Sequence, residues 1–319
     1  MSWLTWRQHR LQALSTAGAL GLIGLFMALT GAHMSSVFHG SGLSHCLATR
    51  SHGDCGELQS AFESRFSVLR QLGPLFLVLP LLLGFFWGAP LLARELEHGT
   101  HRLAWTQSIG RLRWLTVKLG FVIAFTALVA VVYSLVVSWW SGPLNASTGD
   151  RFQPGNFDQQ GLVPAAYALF AVALGTAAGA VMRKTLAAMA VTLGGFVAVR
   201  LVVAAVIRRH FVAPVTERYA SLPGRDTVHP GAWVLSQHAF DKHGRVVSQF
   251  EVGSTCHEGA GVTVRAADRC IRAHGFMNVD VFQPAGRFWL FQGIETAVFT
   301  GLAVALLAFT IWWVRARIS

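Results

Sequence analysis

Residues 94–118 read Arg94-Glu-Leu-Glu-His-Gly-Thr-His-Arg-Leu-Ala-Trp-Thr-Gln-Ser-Ile-Gly-Arg-Leu-Arg-Trp-Leu-Thr-Val-Lys118, a densely charged stretch set between two long apolar runs. Gly99 interrupts the helical pattern that precedes it. Thr100 is an N-cap candidate for a short helix over 101–107, and Ser108 for a second helix that enters the next apolar run. The spacing therefore predicts helix, turn, helix within about 25 residues, and its density of charge makes the stretch the best candidate for a surface that meets a partner.

Working outward, the composition fixes the class. Hydrophobic residues make up 53% of the 319 and charged residues 13%, about half the charge of an average soluble domain. That balance points to a polytopic membrane protein. The net charge of +11 could suit a polyanion, but the cations are scattered between apolar runs instead of gathered on one patch, which argues against nucleic acid. Six runs have the length needed to cross about 30 Å of hydrocarbon: residues 11–32, 72–93, 119–139, 163–182, 186–207 and 289–313. Trp3, Trp6, Arg7 and Arg10 suit an N-terminal helix lying in the headgroup layer ahead of the first run. Pro74, Pro80 and Pro90 predict a bent or broken second span. Gly18, Gly21 and Gly24, and the pair Gly175 and Gly179, mark faces that another helix could approach closely.

Sidedness follows from the cations. Arg7, Arg10, Arg94, Arg102, Arg111, Arg113, Lys118, Arg183, Lys184, Arg315 and Arg317 crowd the short segments of one side, so that side, with both termini, is expected to be cytoplasmic. All four cysteines fall on the other side, in an oxidising compartment; Cys46 with Cys55 and Cys256 with Cys270 are the simplest disulfides, although cross-loop pairing is open. Residues 208–288 are too long for a linker and are expected to form a small disulfide-stapled α+β domain. Its expected elements are strands over 233–240 and 245–252 and a helix over 266–274. The expected fold is thus all-α and polytopic, with residues 1–207 holding an interfacial helix and five spans, 208–288 an outer insert, and 289–319 the last span and tail.

The arrangement resembles the membrane subunits of ABC-2 type transporters. Acidic residues followed by Gly99-Thr100 and an Arg-rich segment closing on Lys118 are similar to that family's loop between spans two and three. Trp6-Arg7-Gln8-His9-Arg10 and the run from Gln283-Pro284 through Arg287-Phe288-Trp289, Gln292 and Glu295-Thr296 extend the likeness, as in a subgroup from high-GC Gram-positive bacteria. The resemblance implies an elbow helix at residues 1–10 and a coupling helix that docks on a separate ATP-binding subunit. It further implies a dimer of two such permeases, and export of hydrophobic or amphipathic cargo such as a drug, antibiotic, peptide or lipid. Arg94, Glu95, Glu97, Thr100, Arg102, Trp105 and Arg111 are then the residues expected to meet the ATPase.

No phosphate-cradling Gly-x-x-x-x-Gly-Lys-Ser/Thr sequence is present, so ATP and Mg²⁺ are expected on the partner chain and no cofactor or metal in this one. The zinc-protease and nucleophile-elbow patterns are missing too. Arg200 lies about 10 Å inside the fifth span and Glu295 about 9 Å inside the sixth, counted from the same side at 1.5 Å per residue. Charges at that depth pair or face a cavity, so the two are expected to approach each other as an intramembrane pair or an outer gate. The rival readings are a membrane-anchored sensor or resistance protein that binds a ligand with its outer insert, and a membrane enzyme using Asp226, His229, Asp241 or His243 there.

Overall fold

The computed structural model describes residues 2–49, 55–99, 110–220, 231–256 and 264–317. Among them six helical segments are long and apolar enough to cross a membrane: Leu20–Gly40, Ser67–Glu97, Leu112–Thr148, Val163–Met182, Thr185–His210 and Ala285–Arg317. The chain divides into two compact units. One comprises Met1–Thr148, Gly155–Val203 and Gln292–Ser319; the other comprises Gly149–Pro154 and Ala204–Phe291.

The helical unit is built around the fourth span. Of its apolar window 72% is buried, against 17% for the first and fifth spans, so its neighbours pack on it from several sides. Small residues make this possible. A Cβ added at Gly175 would come within 2.7 Å of Gly84 O and 2.6 Å of Ala89 N, and one at Gly179 within 2.7 Å of Ala89 O. The second span reciprocates, since a Cβ at Gly84 or Gly88 would strike the backbone of Ala171 or Val172. Backbones this close gain dispersion contacts over a long seam, which is the main source of helix association where burial from water contributes little. The Gly175/Gly179 face is therefore consumed inside the chain. A Cβ added at Gly18, Gly21 or Gly24 would meet nothing within 4 Å, so among the described residues no helix packs closely on that row.

The second span is irregular, as its prolines require. It passes from a 3₁₀ segment at Gly73–Val78 through an α-turn at Leu79–Leu83 and a π-turn at Gly84–Gly88 to an α-helix at Ala89–Glu97. Each proline removes an i→i−4 bond, and the wider and tighter turns redistribute the remaining donors. Leu83, Trp87, Leu91 and Leu92 of this span then pack with Trp114, Leu115, Leu119 and Val122 of the third.

Three expectations about the helices need correction. A separate elbow helix over residues 1–10 does not form, because Ser2–Gly40 is one uninterrupted helix; neither proline nor glycine stands before Gly18 to break it. The third span is longer than 119–139. It runs from Arg111 to Thr148 and tolerates Pro143 within it. The first outer segment is helical where a loop was expected, with helices at Leu43–Thr49 and Cys55–Arg65 joined by the Cys46–Cys55 disulfide. Phe38, Phe62 and Phe66 pack beside them against Tyr133, Val137 and Trp140 of the third span.

The second unit carries a four-stranded antiparallel sheet in the order β1-β4-β2-β3, with β1 at Val215–Tyr219, β2 at Trp233–Phe240, β3 at Val246–Val247 and β4 at Met277–Gln283. Strand β4 pairs the whole of β1 through Asn278–Phe282, and β2 across a register shift between Val234 and Ser236. The expected strand over 245–252 is corrected: only Val246–Val247 pairs, and the chain turns into a helix at Gln249–Thr255. Ser248 caps that helix, its hydroxyl accepting from the Glu251 N–H at 3.1 Å, and it outcompetes the strand ladder for these backbone groups. The helix Val264–His274 lays Ile271 against Ala239, Val247, Val252 and Phe276, and the Cys256–Cys270 disulfide closes this small core.

Candidate functional site

Two polar clusters mark opposite ends of the fourth and fifth spans. The first flanks the charged segment with which the sequence analysis began. Ala89–Glu97 ends the second span and Arg111 begins the third. Between these helices Lys118 Nζ donates to Glu95 Oε1, and the ammonium also lies 4.7 Å from the centre of the Trp114 ring. Lys118 is buried; an apolar wall around a paired cation makes the pair hard to dissolve. Two residues on, Glu97 Oε2 accepts from both the backbone N–H and the hydroxyl of Thr185, at 2.9 and 2.7 Å. Thr185 opens the fifth span, where unsatisfied N–H groups favour a carboxylate.

The turn that brings Thr185 there is very tight. Arg183 adopts the left-handed conformation with φ 54°, capping the fourth span, and its guanidinium donates to the carbonyl of Arg317 at the end of the sixth span, 3.2 Å away. The start of the charged segment thus reaches span three through Glu95 and span five through Glu97, and Arg183 joins the same end of the bundle to span six. Arg94 is exposed. Thr100, Arg102 and Trp105, with the short helix expected over 101–107, lie outside the described residues, as does the side chain of Arg111.

The second cluster is buried. Asp158, in the connection between spans three and four, forms an ion pair with Arg200 of the fifth span at 2.8 Å. Tyr167 of the fourth span places its hydroxyl 3.3 Å from Asp158 Oδ1 and 2.5 Å from Glu295 Oε1 of the sixth, and the Arg200 guanidinium lies 5.4 Å from the centre of its ring. One turn before Glu295, Gln292 reaches back to the start of the fourth span. Its Oε1 accepts from the N–H groups of Leu162 and Val163 at 2.9 and 3.0 Å, and its Nε2 donates to Phe157 O at 3.0 Å. Gly161, at φ +70°, leaves room for this amide; a Cβ there would sit 2.7 Å from it.

Asp158, Tyr167, Gln292 and Glu295 are each at most 5% exposed. Polar groups at such burial must satisfy one another, and here they do so by joining three spans and a connecting segment. The expected partnership is corrected accordingly. Arg200 and Glu295 belong to one cluster, but the carboxylate in ion-pair contact with Arg200 is Asp158, and Glu295 enters through Tyr167. Helical spacing gives depth without azimuth, and Asp158 lies outside the apolar runs from which depth can be counted. A carboxylate six residues before a proline-started apolar helix was the available signal.

Both cysteine pairs are within bonding geometry, Cys46 with Cys55 and Cys256 with Cys270. Of the outer residues considered for an enzyme, Asp226 and His229 lie outside the described segments. Asp241 is occupied structurally, accepting from the N–H groups of His243 and Arg245 in the turn between β2 and β3.

Comparison with known proteins agrees with this architecture. No curated protein and no solved structure matches the chain. The model of the family described as ABC-2 membrane transporter related matches residues 17–208, which is more than half of the chain, holds the first four spans and nearly all of the fifth, and includes Glu95, Glu97, Lys118 and Thr185. The chain is a multi-pass membrane permease that belongs to the ABC-2 membrane transporter related family.

Proposed function

We propose that the protein is the permease subunit of an ATP-driven exporter, coupled through residues 94–118 to a separate ATP-binding subunit. The observation that carries this reading is the pair of bonds made from the start of that segment, Glu95 with Lys118 at its far end and Glu97 with Thr185. A displacement of the segment cannot be absorbed locally. Through Glu95 it draws on span three, and through Glu97 on the start of span five, while the second span itself is continuous with the segment. Arg94, Thr100, Arg102, Trp105 and Arg111 are the groups offered to the ATPase, whose nucleotide and Mg²⁺ stay on that partner.

Two permease copies working with two ATPases would form the transporter, with both termini in the cytoplasm. Closure of the ATPases on ATP shifts the helix bundles between states of different cargo affinity, and that differential is what coupled transport consists of. An apolar groove of about 310 Å³ lined by Leu22, Ile23, Phe26, Leu72, Leu75 and Phe76 fits contact with lipid and with hydrophobic or amphipathic cargo. The test is copurification with an ATP-binding subunit, followed by ATP-dependent accumulation of candidate cargo in inverted vesicles. Reversing Glu95 and Glu97 together should abolish coupled uptake. Full ATP-dependent transport by that variant, or transport by the purified chain with no nucleotide-binding companion, would overturn the proposal.

A further inference from the structure

The helical unit accounts for the family function, but a second constellation lies in the sheet-bearing unit. Cys256, Cys270 and His274 bring one ligand-type atom each to within 4.8 Å of one another. Cys256 ends the helix Gln249–Thr255, while Cys270 and His274 stand one turn apart on the helix Val264–His274. An i, i+4 spacing puts both on the same face. Cys256 is buried, Cys270 half-buried and His274 exposed, so the site has an apolar floor and an open mouth through which an ion could enter.

The distances fit a particular ion chemistry. For a tetrahedral Zn²⁺, with bonds of about 2.3 Å to sulfur and about 2.0–2.1 Å to imidazole nitrogen, a sulfur and a nitrogen ligand lie about 3.5 Å apart. Cys270 Sγ and His274 Nδ1 are separated by 3.5 Å. The imidazole is also held in place. Its Nδ1 lies 3.0 Å from the Cys270 carbonyl oxygen, which can only accept, so this nitrogen carries the proton while the sulfurs are joined. Phe276 stacks against the ring at 6.0 Å and 16°. A disulfide closed for stability alone does not require an imidazole beside one of its sulfurs.

We propose that Cys256, Cys270 and His274 form a redox-gated site for a thiophilic d¹⁰ cation, shut while the disulfide is intact and opened by its reduction. In the opening step a dithiol donates two electrons and two protons. The Sγ–Sγ bond breaks, Cys256 and Cys270 become thiols, and the dithiol becomes a cyclic disulfide. Binding of the cation then displaces both thiol protons, giving two thiolate ligands. His274 exchanges its bond to the Cys270 carbonyl for the ion as the ring proton moves to Nε2, and water completes the coordination. Two thiolates and one imidazole suit Zn²⁺ or Cu⁺ and discriminate against Mg²⁺ and Ca²⁺, which require oxygen ligands.

The experiment uses the full chain in detergent, with the second disulfide removed by Cys46→Ser and Cys55→Ser so that thiols arise only at the site. Zn²⁺ and Cu⁺ are titrated against chromophoric chelators before and after reduction by a phosphine, which consumes one water and leaves as its oxide. Reduction should create one site per chain, at least tenfold tighter than anything in the oxidised protein, and the ion held more tightly identifies the occupant. His274→Ala, which leaves both cysteines in place, should weaken binding at least tenfold. Thiol counting before reduction shows that this variant has folded and closed its disulfide. Equal affinity in His274→Ala, or the same stoichiometry in the oxidised and reduced chains, would overturn the proposal.

Discussion

The two polar clusters of the helical unit use similar chemistry in opposite settings. Around Asp158, Arg200, Tyr167, Gln292 and Glu295 nearly every polar atom is out of water, and each contact joins a different span. Around residues 94–118 the ties are mixed: the Lys118–Glu95 pair is largely covered, whereas Glu97 and Thr185 meet in an exposed setting. Burial raises the cost of separating charges, while exposure lets water take over a lost bond. The far end is therefore the rigid end of these spans, and the loop end is where small energies can change the arrangement. Under the coupling proposed above, that asymmetry suits a machine driven from one side.

The contrast is broken most severely at Arg200. Arg200→Ala leaves Asp158 buried without the guanidinium, a loss of about 3–5 kcal/mol for a broken buried pair. It should appear as a large drop in thermal stability and in yield of folded protein. Replacing both partners by apolar residues of similar volume, as in Arg200→Met with Asp158→Leu, should restore most of the stability, because neither charge is then stranded. A double variant no more stable than Arg200→Ala would show that the pair is not what holds the cluster. Tyr167→Phe removes one hydroxyl and should cost about 1–3 kcal/mol, the range for leaving a buried partner unsatisfied.

At the loop end the expected stability effects shrink while the transport effects persist. Lys118→Met removes the ammonium beside the Glu95 carboxylate and should destabilise by about 1–3 kcal/mol. Glu97→Gln should leave thermal stability nearly unchanged, since water replaces an exposed bond, yet lower ATP-coupled uptake severalfold because the segment loses its hold on span five. Uptake equal to that of the parent protein would mean that the Glu97–Thr185 contact carries no motion, and it would make the two ends alike.

Much of this arrangement was legible in the residues. The six spans followed from apolar length, the bends of the second from its prolines, and the Gly175/Gly179 face from spacing. The rest was hidden for identifiable reasons. Hydropathy marks the segment that prefers lipid, not where backbone hydrogen bonding stops, so the third span's extension through Ser141-Gly142-Pro143 to Thr148 looked like loop. The partner of Arg200 required knowledge of which way each helix faces. In the sheet-bearing unit the alternation of Arg245–Val252 suggested a strand, but Ser248-Gln-Phe-Glu251 is a capping-box sequence, and it decided the local outcome. The run Met277–Gln283 was available as a strand by alternation and proved to be paired on both sides.

The smallest effect lies in the turn between β2 and β3, where Lys242, His243, Gly244 and Arg245 are exposed around a partly covered Asp241. The Arg245 N–H, followed by those of His243 and the Arg245 side chain, bonds the Asp241 carboxylate and holds its pKa below the usual value. A carboxyl with a depressed folded pKa contributes stability that is fully present above its unfolded pKa, about 3.9. That stability is lost as pH falls through the folded value. Unfolding of the sheet should therefore become easier below about pH 4. Asp241→Asn, which keeps an acceptor oxygen but cannot ionise, should flatten that part of the profile, as read by amide exchange of Ala239 and Phe240. In contrast to Arg200, the shift should be barely measurable at neutral pH in high salt, because water and counterions already screen an exposed pair. An acid profile of the same slope in both proteins would place the pH sensitivity elsewhere in the sheet.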